Sequence, residues 1–203
     1  RRVLFRSVTV DSVATISSSG LLTAEKRGLT KVHVQDSEGL RDTTNNSVEV
    51  RALRLSLADT SGWQGSTVMI PLYTTDLSSL SIVSGTVTIS YNSGILKAVA
   101  YSNTGSLLEG YDQLELAMHA NGTCTFSFAG TTPLSGEGVL LYLEFAIDSI
   151  RTGSSNLTIE TAQFNEDILA MVEAGRFDIL PLPDLDLSPQ TADLMVGETQ
   201  QFS

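Results

Sequence analysis

One thiol, two imidazoles and a scatter of carboxylates are the groups in this sequence that could carry chemistry. Cys124 stands in T-C-T-F-S-F, alternating with threonine and serine. That rhythm turns its thiol inward as a core residue rather than a nucleophile, and a single cysteine forms no internal disulfide. His33 falls at an outward position near Lys31, with no His, Cys or carboxylate at ligand spacing, so a solvated surface histidine is expected there. A glycosidase needs two carboxylates facing one cleft. Glu109, Asp112, Glu115, Glu166 and Asp167 can be nominated, but no cleft-forming insertion surrounds them. Asp184 and Asp186 alternate with Leu185 and Leu187 as in a strand, and the glycine of a calcium loop is absent. No glycine-rich phosphate loop precedes a helix, and no serine, histidine and acid set occurs at motif spacing. These residues point to binding rather than catalysis, without metal or cofactor.

Charge narrows what can be bound. The chain carries a net charge of −11, and from residue 98 onward 15 carboxylates face only Arg151 and Arg176. Such a surface repels nucleic-acid phosphates and anionic lipid. The longest apolar runs are strand-sized, so no membrane-spanning segment is expected. A hydrophobic fraction of 41% over 203 residues suffices for one to two domains with real cores.

Period-two alternation supplies the elements. In Val83 to Tyr91 the residues Val87, Ile89 and Tyr91 face inward and Ser84, Thr86, Thr88 and Ser90 outward. Leu114 to His119 and Thr123 to Phe128 repeat the rhythm around an Asn121-Gly122 hairpin turn. Their outward sets are Glu115, Ala117 and His119, then Thr123, Thr125 and Ser127. In Val139 to Ile147 the inward set Val139, Leu141, Leu143, Phe145 and Ile147 leaves Leu140, Tyr142, Glu144 and Ala146 outward. Pro71, within the strand Thr67 to Thr74, argues for an edge position or a bulge. Trp63 is expected to plug a sandwich edge rather than to stack on a sugar. With Tyr73, Tyr101, Tyr111 and Tyr142 it forms no visible aromatic row.

The ends read differently. Residues 1–7, R-R-V-L-F-R-S, share no pattern with the rest of the chain and look like translated adapter sequence, so they are set aside from the fold. Ser12 to Val34 contains V-A-T-I, S-G-L-L-T-A and a turn glycine before an alternating strand. It resembles the second half of a group 2 bacterial immunoglobulin-like domain, giving a partial unit over residues 8–53. Its opening strands are missing, as in a chain cut at its start. Residues 181–184 form a stiff proline linker. Residues 185–203, with L-D-L-S-P and L-M-V-G-E-T-Q-Q-F, resemble the first strands of another such domain.

Between them, residues 54–180 contain G-S-T-V-M-I-P-L, V-S-G-T-V-T-I-S-Y-N-S-G-I-L, S-G-E-G-V-L-L-Y-L-E-F and A-Q-F-N-E-D-I in order. Together these resemble a cohesin module, the domain of cellulosome scaffolding proteins that captures dockerins. The resemblance implies an all-β fold, a nine-stranded jelly-roll sandwich related to family 3 carbohydrate-binding modules. It also implies a docking face carrying Ser84, Thr86, Thr88, Ser90, Glu115, His119, Thr125, Ser127, Leu140, Tyr142 and Glu144, with Leu140 and Tyr142 as anchors. Better-known members place an Asn and an Asp where this sequence has Ser84 and Thr86, which removes a charge-assisted contact to the partner helix. The expected role is an extracellular scaffold whose partner is a protein, such as a dockerin-bearing enzyme, with immunoglobulin-like spacers. Polysaccharide binding and a purely structural adhesin spacer remain as alternatives.

Overall fold

The computed structural model describes residues 4–111 and 113–182, with positions 196, 199 and 201 beyond them. Outside the described residues lie 1–3, the nominated Asp112, the Asp184 and Asp186 pair, residues 183 and 184 of the expected 181–184 linker and, apart from those three positions, the 185–203 segment. Every regular element described is a strand.

Seven short strands precede residue 53: β1 (Leu4–Val8), β2 (Ala14–Ile16), β3 (Leu22–Ala24), β4 (Gly28–Thr30), β5 (Val32–Asp36), β6 (Arg41–Thr43) and β7 (Val48–Val50). They pair as β1-β5-β6, β2-β3 and β4-β7. The β2–β3 hairpin closes where the sequence places it, with Ile16 opposite Leu22. Residues 4–7 do not stand outside the fold as expected, since Leu4 to Ser7 lie opposite Asp36 to His33 in the β1–β5 ladder. Backbone pairing rather than burial holds them, because Phe5 is 62% exposed. A strand held in this way leaves no hydrophobic period to read.

The remaining chain builds two packed sheets from β8 (Arg54–Leu57), β9 (Thr60–Trp63), β10 (Thr67–Thr74), β11 (Ser84–Ser90), β12 (Leu96–Ser102) and β13 (Gln113–His119). Then come β14 (Thr123–Ala129), β15 (Gly138–Ile147), β16 (Ser154–Phe164), β17 (Ile168–Leu169), β18 (Met171–Glu173) and β19 (Gly175–Leu180). One sheet has the order β12-β15-β10-β8-β18, the other β13-β14-β11-β16-β19-β9, with β17 on β16. These twelve segments stand where nine strands are expected. Two runs, β8 with β9 and β18 with β19, are each cut in two where the chain changes sheet, and β17 is a two-residue addition.

The core lies between the sheets. Ile70, Leu72, Leu141, Leu143 and Phe145 meet Val87, Ile89, Phe126, Phe128, Phe164 and Phe177. Each fully buried side chain of this size contributes about 1.5–3 kcal/mol. The two sheet changes sit side by side. β18 runs parallel to β8 and β19 parallel to β9, and the Asp59 carboxylate accepts the Arg176 backbone N–H at 2.8 Å. A Cβ on Gly175 would come within 2.6 Å of the Leu57 carbonyl oxygen and 2.7 Å of that of Ala58. Only glycine lets the second crossing lie against the first.

Two expectations about strands are resolved by pairing. β10 pairs β8 only from Leu72 onward, so at Pro71 it has a neighbour on one side alone, and its register with β15 shifts one residue further along. In that shift Leu72 lies opposite Leu141 and Tyr73 opposite Val139, leaving Leu140 as the extra residue. Leu140 is therefore not outward. The bulge breaks the alternation, and Leu140 and Leu141 are both fully buried. Leu140→Ala should lower stability by about 2–5 kcal/mol in urea unfolding, the cost of a core truncation. Gly175→Ala should cost about 1–3 kcal/mol in the same measurement, because the contacted atoms are backbone.

Candidate functional site

The outer face of β13-β14-β11-β16 is formed by side chains whose inward neighbours are committed to the core. β11 is paired along its length by β14 on one side and by β16 on the other. The registers align the outward residues into rows. Glu115, Ser127, Thr86 and Gln163 form one, Ala117, Thr125, Thr88 and Thr161 the next, and His119, Thr123, Ser90 and Thr158 a third. Hydroxyls bond within the rows, Thr86 to Ser127 at 3.2 Å and Thr88 to Thr125 at 3.1 Å. His119 Nε2 lies 3.5 Å from Thr125 Oγ1, and the Ser90 hydroxyl donates to the Glu160 carboxylate.

Eight of the expected residues thus share one face: Ser84, Thr86, Thr88, Ser90, Glu115, His119, Thr125 and Ser127. Leu140, Tyr142 and Glu144 do not join them. Their strand β15 belongs to the opposite sheet, between β12 and β10. Tyr142 there lies opposite Pro71 and Ser102, and Glu144 opposite Met69 and Ala100. The place assigned to β15 is taken by β16, which contributes Thr158, Glu160, Thr161 and Gln163. The sequence does carry a signal for it. In N-L-T-I-E-T-A-Q-F, Leu157 and Ile159 alternate inward, then Ala162 and Phe164 do so one residue out of phase. Such a slip is the mark of a bulge, here at Glu160 between Thr161 opposite Thr88 and Ile159 opposite Ile89.

Asn165 sets where the face begins. Its side-chain oxygen accepts the N–H of Val83 at 3.0 Å and of Ser84 at 3.3 Å, and its amide donates to the Ser81 carbonyl at 2.9 Å. Asn165 has φ +44° and Glu166 φ +67°, a turn conformation that asparagine tolerates better than most residues. The nominated acids do not converge. Asp167 pairs with Arg27 at 3.1 Å, and the cleft of about 610 Å³ between residues 107–113 and 129–135 has Glu109 as its one carboxylate among the described residues. Among the described residues, no three His, Cys, Asp or Glu side chains gather as a metal site.

Other singled-out residues find ordinary places. Cys124 is buried, and burial pushes its thiol up to about 11. His33 is half-buried and hydrogen-bonded to Thr43 at 2.6 Å rather than free in solvent. Trp63 is 51% exposed. Its neighbour Gly62 takes the inward position, where a Cβ would press on Ile147 and Phe177. Of the tyrosines, Tyr101 packs its ring beside Phe126 and Tyr111 packs edge-on to Phe128. Tyr73 and Tyr142 are diagonal neighbours on the outer face of the opposite sheet.

A family model described as the cohesin domain matches residues 53–173. The chain belongs to the cohesin family. No curated protein matches it in sequence. Among solved structures it is similar to a type I cohesin–dockerin complex from Clostridium thermocellum, with 21% identity and a TM-score of 0.57 over 68% of this chain and 100% of that one. A cohesin from Clostridium acetobutylicum matches with 22% identity and a TM-score of 0.56, over 64% of this chain and 92% of its own. A non-cellulosomal cohesin from the archaeon Archaeoglobus fulgidus matches with 20% identity and a TM-score of 0.53, over 63% and 91%. At these identities the likeness is one of fold, the cohesin sandwich.

Asn165→Ala removes three hydrogen bonds and should cost about 1–3 kcal/mol in urea unfolding, with faster amide exchange at Val83 to Thr86. Native Cys124 should react with a thiol reagent at pH 8 at least ~100-fold more slowly than in the unfolded chain, through its raised pKa and its burial.

Proposed function

We propose that residues 54–180 are a docking module for a protein partner of dockerin type, received on the outer face of β13-β14-β11-β16. The observation that carries this reading is the composition of that face. It is an open sheet of short hydroxyl side chains in register, in a fold whose solved examples include cohesins in complex with dockerins. Short, mutually bonded side chains lose little rotamer freedom when a flat partner covers them. The proposed role is scaffolding outside a bacterial cell, without catalysis. The strands within residues 8–53, and the 185–203 segment after the 181–184 linker, serve in this reading as immunoglobulin-like spacers.

A panel of recombinant dockerins, including those of the Clostridium complexes, tests it by calorimetry against the full chain. At least one should bind. Thr88→Arg, which puts bulk and charge at the centre of the face, should weaken it about tenfold or more, ~1.4 kcal/mol. Tyr142→Ala on the opposite sheet should leave it unchanged. Capture of none, or sensitivity to Tyr142 and not to Thr88, would sink the assignment.

A further inference from the structure

The candidate face has a charge pattern of its own. Its outward residues on β11, β13, β14 and β16 include two carboxylates, Glu115 and Glu160, and neither lysine nor arginine. The nearest cation on the neighbouring strand, Arg176, is bound to Asp178 at 2.9 Å, and Asp178 raises its pKa further. Neither face carboxylate has a cationic partner among the described residues. They occupy opposite flanks, Glu115 on β13 and Glu160 on β16, with the hydroxyl rows of β14 and β11 between them.

Strand geometry fixes their separation. Three strand spacings of about 4.8 Å put them ~14 Å apart across the sheet. Along the strands, Glu115 belongs to the Thr86 row, while Glu160 bulges out between the positions opposite Thr88 and Ile89. That adds two to three residues at about 3.3 Å each, or ~8 Å. The diagonal is then ~17 Å. The hydrogen bond from Ser90 holds the Glu160 carboxylate in place rather than leaving it to sweep the surface.

An α-helix rises about 1.5 Å per residue and turns once in 3.6, so ~17 Å along its axis is about 11 residues, close to three full turns. Residues i and i+11 of a helix therefore project from the same side. We infer that the partner element on this face is a helix bearing basic residues at i and i+11, lying diagonally across the strands with one cation on Glu115 and the other on Glu160. Small or hydroxyl residues between them cover the threonine rows. This inference rests on the docking reading above and specifies the partner of that same face.

The test uses the full chain, uniformly ¹⁵N-labelled, titrated with three stapled 20-residue helical peptides of identical composition, which carry two lysines at i and i+11, at i and i+7, or at i and i+4. A fourth peptide has glutamates in place of the lysines at i and i+11. Amide shifts on β11, β13, β14 and β16 should appear at least about threefold lower in concentration with the i, i+11 lysine peptide than with the other lysine spacings. Glu115→Gln and Glu160→Gln should each abolish that preference, and 0.5 M salt should erase it. Shifts on this face with no spacing preference, or with one that survives both substitutions, would overturn the inference while leaving the docking face standing. Shifts confined to other surfaces, or none, would overturn both.

Discussion

Strand β11 is laddered by backbone hydrogen bonds on both edges, to β14 and to β16, and the candidate face takes its geometry from that double ladder. Val87 and Ile89 are held in the core on one side, so Thr86 and Thr88 cannot turn away from solvent on the other. The Asn165 side chain fixes the start of the strand by accepting two successive amides. The face is rigid because its other side is a packed interior. Gly85 shows how tight that interior is, since a Cβ there would come within 2.6 Å of both the Phe128 and Phe164 rings.

Most of the architecture is legible in the sequence because a half-buried strand writes its own pattern. Val83 to Tyr91, Leu114 to His119 and Thr123 to Phe128 alternate without interruption, and each lies where its pattern puts it. The misreadings occur at bulges and where pairing partners must be chosen. Alternation in V-L-L-Y-L-E-F sorts Leu141 to Phe145 into inward and outward residues, but it does not say which sheet the strand joins. One extra residue at Leu140 then hides a core side chain in a surface position. The reverse holds for N-L-T-I-E-T-A-Q-F, whose two phases read as a broken pattern although both halves belong to one continuous strand.

The residues of the candidate face are legible in type and only partly in membership. Hydroxyl side chains on β11 and β14 and Glu115 on β13 emerge from period and hairpin. Glu160 and Gln163 emerge only once β16 is known to flank β11, a fact of sheet order that no local window contains. Large apolar anchors are expected from the way interfaces usually distribute energy, and the outward residues of these four strands include none. The flank carries one instead, Leu169 on β17, opposite Gln163 and 48% exposed, while the centre of the face offers only shallow polar contacts.

The paired crossings have a mechanical side. β8 and β9 carry the chain from residue 54 to 63, and β18 and β19 carry it from 171 to 180, the two runs side by side and parallel. The chain therefore enters the sandwich at one end and leaves at the other. Tension between residues 53 and 181 would load both parallel ladders in shear, so that their hydrogen bonds must break together rather than unzip singly. A module threaded in this way can sit in the middle of a pulled chain and keep its side face undistorted.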